Sequence, residues 1–237
     1  MRRRSRFASV VLAGVFGSAV AGTACAQDTW TYEILPFLWA AGLDGRTGVG
    51  GADTDVTADF GDLIEFVDIG LSLRMGARRP PVGWFAEASY VKVEDDADTV
   101  LLGPIRLSST QTFAEGGIVY ELSSAFAVYG GLRFQSLEID LRTSGARLDE
   151  TNEWVDGIVG ARWTPVVSDT WLVWARGDVG AGGSDLVWLA EVGGGYRWGT
   201  RWGAYLAYRI LDTDYENGGF IYDMEQSGLL FGFGYRF

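Results

Sequence analysis

GLLFGFGYRF, residues 228–237, closes the chain with a large apolar side chain at every second position. Successive side chains of a β-strand point to opposite faces of the sheet, so this alternation predicts a strand with one apolar face. The opposite parity holds Leu230, Gly232, Gly234 and Arg236. The apolar side chains of this face continue as far as Phe237. We therefore expect the outer side of the strand to face an apolar environment over its whole length.

The same alternation recurs from residue 27 onward, where helical periodicity is nearly absent. Between residues 202 and 211 one parity is apolar throughout, with Trp202, Ala204, Leu206, Tyr208 and Ile210, and Arg209 lies on the other. Residues 68–78 and 171–180 divide in the same way. Such runs predict about ten strands, with eight and twelve as the alternatives. The predicted strands cover residues 29–41, 66–79, 83–94, 105–121, 125–142, 151–165, 169–182, 185–199, 201–214 and 219–237.

The connections between the predicted strands alternate in length. Short turns are predicted at residues 79–82, 121–124, 165–169 and 199–201. The intervening connections are generally longer and acidic, and the longest covers residues 42–65, where Asp59 is expected to cap one helical turn at 59–64. Short turns at one end and longer loops at the other predict an all-β fold, a transmembrane antiparallel up-and-down β-barrel.

Large aromatic side chains provide an independent indication of orientation. Nine of them begin or end predicted strands beside a short turn or a chain end, namely Trp30, Trp84, Tyr120, Phe126, Trp163, Trp171, Trp198, Trp202 and Phe237. Aromatic rings favour the boundary between hydrocarbon and water. We therefore expect the apolar parity to face lipid and the polar parity to face the lumen. A soluble lipocalin-type barrel, with its apolar face inward, is the alternative fold.

Several motifs extend this interpretation across the chain: PFLWAAGLDG near the start, GDVGAGGSDLVW at 177–188, GYRW at 195–198, YRILDTDYE at 208–216 and the final GYRF. Together they resemble small Gram-negative outer-membrane β-barrel proteins of the OmpA-like and opacity-type superfamily, a group without an assigned biochemical activity. The last strand resembles the lipid-facing carboxyl-terminal assembly signal of such barrels, carried here by Phe231, Phe233, Tyr235 and Phe237. The resemblance implies handling by the barrel assembly machinery.

Residues 1–26 have the features of a cleaved secretory signal peptide. Four arginines precede an apolar run from Phe7 to about Gly22, and Ala24 and Ala26 supply the small side chains that signal peptidase requires. The run is shorter than the roughly 18 apolar residues of a membrane-spanning helix. We therefore expect export and an outer-membrane location.

The remaining segment, residues 27–237, is predicted to be one outer-membrane barrel domain. It carries 15 basic and 31 acidic residues, a formal charge of −16, which argues against nucleic acid as a partner. Cys25, the only cysteine, precedes this segment. A lipoprotein anchored at Cys25 is an alternative, but Gly22 stands where that signal usually has leucine.

Charged side chains on the polar parity predict a lumen that contains both signs of charge. The predicted lumen residues are Arg74, Arg78, Glu87, Glu115, Arg133, Asp156, Arg162, Arg176, Asp178, Glu191, Arg197, Arg209 and Arg236. Pairing across a narrow interior is the favoured interpretation, because unpaired buried charge is costly. The alternative is a water-filled pore that selects small solutes, since ten strands lie between filled barrels and wide porins.

The absence of histidine from the chain excludes the common catalytic arrangements that depend on it. Outer-membrane proteases, phospholipases and palmitoyl transferases use histidine, so we expect no enzyme, and we predict no cofactor or resident metal. The favoured function is a structural, envelope-maintaining barrel with a narrow charge-lined lumen. The alternatives are a small passive channel and a surface adhesin that binds through extracellular loops around residues 42–65 and 142–153.

Acidic residues concentrate in the longer connections. Segments 42–65, 94–104 and 212–219 contain 13 acidic residues and one basic residue, Arg46. Solvated loop charge is the simplest interpretation. As a hypothesis, these segments bind divalent cations and, through them, the phosphates of outer-membrane lipopolysaccharide, whereas direct phosphate contact would use Arg142 and Arg147.

Overall fold

The computed structural model describes residues 29–49, 52–63, 67–99, 103–142, 147–165 and 168–237. The predicted signal peptide lies outside these residues. The strands are β1 (Thr31–Val49), β2 (Ala52–Ala58), β3 (Val67–Arg79), β4 (Val82–Thr99), β5 (Gly103–Glu121), β6 (Phe126–Arg142), β7 (Arg147–Trp163), β8 (Trp171–Gly182), β9 (Leu186–Trp198), β10 (Trp202–Asn217) and β11 (Phe220–Arg236), and the helix within these residues is α1 (Phe60–Leu63). No helix within the described ranges combines the length and apolar character needed to cross a membrane.

Ten of the strands form a closed antiparallel barrel. From β3 to β11 each strand pairs with the next along the chain, and β1 pairs with both β3 and β11. The β1–β11 seam runs from Glu33 opposite Arg236 to Gly48 opposite Ile221. Closure leaves the wall without a free edge except at the far end, where, for example, residues 147–155 of β7 pair only with β6. Backbone pairing on both sides of each strand is the condition for a β-structure in lipid. The transmembrane up-and-down barrel predicted from the sequence is thereby confirmed.

The short turns and both ends of the barrel domain lie at one end of the barrel. Turns after β3, β5, β7 and β9 share this end with Thr31 and Phe237. We call it the turn end and the opposite end the far end. Most strands contain 12 to 19 residues, whereas about 9–11 residues suffice to cross the hydrocarbon core. The longer strands therefore project beyond the membrane at the far end.

The segment between β1 and β3 differs from the expectation of a long loop. β1 continues to Val49, and its outer part pairs with β2 while its first part pairs with β3. The open loop predicted across residues 42–65 is therefore wrong for most of its length. β1 continues because β11 extends equally far beside it and supplies backbone partners. The predicted helical turn is confirmed as α1.

The outer face of the wall is strongly apolar. Leu38, Leu71, Leu132, Val159 and Phe233 are each more than 60% exposed. Large exposed apolar side chains at every second position suit contact with lipid and would be unfavourable in water. The orientation of the two parities is the one that the sequence predicted. The lipocalin-type alternative is wrong, because its apolar parity would face the interior.

Aromatic rings form a belt at the turn end. The ring of Phe237 stacks on that of Tyr32 with 5.6 Å between centroids, and Trp202 meets Tyr235 edge-on at 4.8 Å. The backbones of Tyr32 and Phe237 also exchange two hydrogen bonds of 2.9 and 3.0 Å. Phe237 therefore takes part in both the hydrogen-bonded seam and the aromatic belt.

The seam places a glycine where no side chain fits. A Cβ on Gly228 would lie 1.9 Å from the carbonyl oxygen of Ala40 on β1. We expect Gly228→Ala to push the two strands apart and to lower the free energy of unfolding by about 1–3 kcal/mol. Urea unfolding in detergent and the shift of electrophoretic mobility on heating measure this change.

The matched control is Gly157→Ala, where the nearest atom to an added Cβ is the Ala181 oxygen at 3.9 Å. This variant is expected to unfold like the wild type. Equal unfolding midpoints for Gly228→Ala and Gly157→Ala would contradict the seam interpretation.

Candidate functional site

The inward parity of the strands fills the lumen with distinct layers. A cavity lies next to the turn end, a layer of charged side chains follows it, and apolar side chains occupy the lumen beyond that layer. The charged layer is the best candidate for a functional or structural centre. Its members all belong to the lumen residues predicted from the sequence.

We define the charge layer as eight side chains that contact one another in the lumen. They are Arg74, Glu87, Glu115, Arg133, Arg176, Asp178, Glu191 and Arg209. Four arginines balance four carboxylates, so the layer is formally neutral. Arg74 is 21% exposed and the others are 8% exposed or less. Neutrality matters because an unbalanced charge at this depth would be strongly unfavourable.

One half of the layer joins two glutamates through two arginines. Arg209 contacts Glu87 and Glu191, each with a nitrogen–oxygen distance of 2.6 Å. Arg74 contacts the same two carboxylates at 2.7 and 2.9 Å. The indole nitrogen of Trp174 also donates a hydrogen bond to Glu191. Such charge-assisted bonds satisfy the carboxylate oxygens and hold β3, β4, β9 and β10 together across the lumen.

The other half is organised around Arg133. This side chain contacts Glu115 at 2.7 Å and Asp178 at 2.9 Å. The Tyr129 hydroxyl donates a 2.8 Å hydrogen bond to Asp178. Arg176 contacts Glu115 at 3.0 Å and approaches Glu191 to 3.5 Å. Arg176 therefore links the two halves of the layer.

Strand register explains which charged side chains of the layer are neighbours on adjacent strands. Glu87 on β4 lies directly opposite Arg74 on β3 and opposite Glu115 on β5, and Glu115 in turn lies opposite Arg133 on β6. Two adjacent carboxylates would repel each other, but Arg176 reaches both of them from β8. A residue remote in sequence thus completes the balance.

Three other predicted lumen residues lie outside the layer and have their own partners. Asp156 accepts hydrogen bonds from the backbone nitrogens of Gly183 and Ser184, at 3.0 and 2.8 Å, and so stabilises the β8–β9 turn. Arg78 pairs with Glu121 at the turn end. Arg236 pairs with Glu33 across the seam at 3.0 Å.

Arg162 and Arg197 complete the predicted set. Both line the cavity at the turn end. Neither side chain forms an ion pair or a hydrogen bond with another residue in the ranges that the structure describes. They differ in this respect from every other predicted lumen arginine.

Sequence analysis missed several inward-facing polar residues. Glu33 and Glu121 supply the partners of Arg236 and Arg78, while Tyr129, Trp174 and Tyr205 donate hydrogen bonds to carboxylates. Tyr205 and Trp174 share the parity of Arg209 and Arg176 on their strands. The predicted lumen set contained only charged residues. Assigning every residue of that parity to the lumen would have identified Tyr205 and Trp174 as well.

Apolar side chains fill the lumen beyond the charge layer, where we expected polar side chains throughout. One cluster is Phe113, Ile158, Val187, Leu189 and Leu211. A second cluster, which we call the outer plug, is Trp154, Tyr215, Phe220, Tyr222 and Met224. The rings of Trp154 and Tyr215 stack with 4.2 Å between their centroids. The inward face is therefore charged near the turn end and mainly apolar near the far end, where Gln135, Thr213 and Gln226 are buried among the apolar side chains.

Acidic side chains occupy the outward face above the apolar belt. Asp214 lies directly opposite Asp223 on β11, and Glu225 lies opposite Asp44 on β1 and Asp212 on β10. Asp44, Asp212 and Asp214 belong to strands, although the sequence analysis counted them in acidic connections, whereas Asp223 and Glu225 lie in the predicted last strand. Within the part of the chain that the structure describes, no group of three or more such side chains converges as a metal site. Binding of divalent cations remains a prediction.

Comparison with known proteins yields structural similarity only. No protein-family model matches the sequence, and no curated protein matches it. Similar solved structures include Ail, the attachment invasion locus protein of Yersinia pestis (12% identity over 88% of this chain and 98% of that one, TM-score 0.40). The translocator domain of the autotransporter NalP from Neisseria meningitidis has 13% identity over 90% of both chains, with a TM-score of 0.40.

Neisserial surface protein A is a further match, at 13% identity over 87% of this chain and 97% of that one, with a TM-score of 0.31. All three are outer-membrane β-barrels. Similarity at this level does not transfer a function or a membership of the OmpA-like and opacity-type superfamily.

Removal of one arginine is expected to destabilise the charge layer. Arg209→Met leaves Glu87 and Glu191 short of a partner, so we expect the free energy of unfolding to fall by about 3 kcal/mol. Urea titration in detergent measures the loss. Arg201→Met is the control, because Arg201 is exposed at the turn end and is expected to contribute less than about 0.5 kcal/mol. Equal midpoints for the two variants would show that the layer is not stabilising.

The acidic far end gives a testable pH dependence. Partial burial, followed by the charges of Asp223 and Asp185, raises the pKa of Asp214 above its usual value. Since the folded state holds this proton more tightly, Asp214 favours folding at low pH, and the contribution is lost as pH rises through the raised pKa.

We expect Asp223→Asn to lower the pKa of Asp214 towards its ordinary value, as measured by carboxyl-carbon NMR titration. Asp169→Asn at the turn end serves as the control and should leave the Asp214 titration unchanged. An Asp214 midpoint that stays the same in Asp223→Asn would exclude the proposed repulsion.

Proposed function

We propose that this protein is a structural component of the outer membrane whose lumen is closed to solutes. The observation that carries the proposal is the charge layer, in which four arginines and four carboxylates neutralise one another across the lumen at low exposure. A pore would require hydrated charges along a continuous path. Paired and dehydrated charges instead act as a rigid internal brace.

The outer plug supports a closed lumen independently of the charge layer. Its five side chains are all at most 5% exposed. Gln226 and Gln111 form a further hydrogen bond of 2.8 Å between opposite parts of the wall. Solutes that entered from the far end would have to displace this packed aromatic cluster before they reached the charge layer.

The outer face supports the proposed location. A closed β-wall with an apolar outer face and an aromatic belt fits the outer membrane of a Gram-negative envelope. In this proposal, residues 1–26 direct export, and Phe231, Phe233, Tyr235 and Phe237 serve as the signal for the barrel assembly machinery. The turn end then faces the periplasm, and the far end projects among lipopolysaccharide molecules.

A small passive channel is the second candidate, favoured by the charge-lined cavity at the turn end. The two functions differ in electrical behaviour. We expect the folded protein to show no discrete conductance steps over many insertions in planar bilayers, because the charge layer and the outer plug occupy the path.

A general porin inserted in the same bilayers shows that steps are detectable, and the mobility shift on heating shows that the sample is folded. Reproducible unitary conductance from the folded sample would reject the closed structural role and favour the channel.

A further inference from the structure

A cavity of about 550 Å³ opens into the lumen from the turn end. Turn residues Pro80, Ser123 and Ser124 line its mouth, and Arg74, Arg176 and Glu191 of the charge layer line its deep end. We call this cavity the vestibule. Its volume lies within the range of about 300–1,000 Å³ that is usual for small-molecule sites. The charge layer closes one side, so the vestibule is a pocket and not a passage.

The vestibule carries uncompensated positive charge. The charge layer is neutral, and the pairs Arg78–Glu121 and Arg236–Glu33 are each balanced. Arg162 and Arg197 remain as two cations without an acidic partner among the described residues. Arg162 also lies directly opposite Arg176 on the neighbouring strand. Like charges at opposite positions on adjacent strands repel each other, and a bound anion would relieve that repulsion.

Buried donor atoms without a hydrogen-bond partner also indicate that the vestibule binds an anion. The Nε atom of Arg176 is buried without a hydrogen-bond partner, and its Nη2 atom has only the longer ion pairs of 3.5 and 3.7 Å with Glu191 and Glu87. The Nε atom of Arg197 is likewise buried and unpartnered. Buried polar groups in folded proteins nearly always have a partner, and leaving a charged donor unsatisfied is costly. A planar guanidinium offers such donors to a carboxylate or phosphate group.

The rest of the lining is apolar and aromatic. Phe85, Tyr129, Leu172, Trp174 and Tyr205 all contribute to the vestibule wall. An inorganic ion alone would leave this surface without a partner, whereas an organic anion would cover it. Aromatic and aliphatic walls with a few directed polar groups are the usual composition of small-molecule sites.

We propose that the vestibule binds a small soluble organic anion, a phosphate or carboxylate group attached to a compact apolar or aromatic body. Arg162, Arg176 and Arg197 bind the anionic group, and the aromatic wall packs against the body. The ligand enters from the turn end, because the barrel wall separates the vestibule from the surrounding lipid.

Phenyl phosphate is a suitable probe of this site. Isothermal titration calorimetry of the folded barrel in a non-ionic detergent is expected to show saturable binding in the micromolar to millimolar range. Inorganic phosphate and benzyl alcohol, which each supply one half of the ligand, are expected to bind at least tenfold more weakly. No saturable heat with phenyl phosphate would overturn the proposal, and equal affinity for inorganic phosphate would overturn the assignment of an organic ligand.

Substitutions locate the binding to the vestibule. Arg162→Gln and Arg197→Gln are each expected to weaken phenyl phosphate binding about tenfold, and the double variant is expected to abolish it. These changes remove repulsive charge, so folding should persist, and the mobility shift on heating verifies it for each variant. Arg201→Gln is the control, since Arg201 lies at the same end outside the vestibule. Wild-type affinity in both single variants would reject the site.

Lipid phosphate shares the chemistry of the proposed ligand, and nanodiscs distinguish the two sources. Equal affinity for phenyl phosphate in discs of phosphatidylcholine and of phosphatidylglycerol supports a soluble ligand. Loss of binding only in phosphatidylglycerol discs would show that lipid headgroups occupy the arginines and would overturn the soluble source.

Discussion

Closure of the β1–β11 seam is the constraint on which the rest of this structure depends. A backbone N–H or C=O without a partner is very costly in hydrocarbon, so the first and last strands of a membrane barrel have to meet. Here Tyr32 and Phe237 exchange two backbone hydrogen bonds at the base of the seam. Gly228 permits close contact with Ala40 further along it. Closure then decides which side chains face lipid and which share the lumen.

A lumen enclosed by ten strands is narrow enough for arginines and carboxylates on opposite walls to touch. Arg209 on β10 reaches Glu87 on β4, which are 122 residues apart in the chain. Because these groups are dehydrated, their number and sign have to balance, and the charge layer does balance. The vestibule lacks this balance at Arg162 and Arg197. The proposed structural role and the proposed binding role therefore belong to different depths of one lumen.

Much of the fold could be predicted from local pattern. Alternation along β3, β8 and β10 identified the lipid-facing side, because side-chain direction in a strand has a period of two residues. All ten barrel strands also began or ended within two residues of their predicted limits at the turn end. β2 was missed, since its seven residues are mostly small or acidic and pair only because β1 extends beyond the membrane. The outer plug was missed because only charged residues of the inward parity were considered as lumen side chains.

The sequence by itself determined the closed-barrel class, the parity that faces lipid and most of the charged residues on the inward parity, although Glu33 and Glu121 were missed. Only the tertiary structure decided which of those charges are paired. Arg176 and Arg162 share that parity on adjacent strands, yet Arg176 meets Glu115 whereas Arg162 meets no acid among the described residues. The physical reason is that parity is a local property of the backbone. Partners across the lumen depend on the register of all ten strands and on the closure that joins the first to the last.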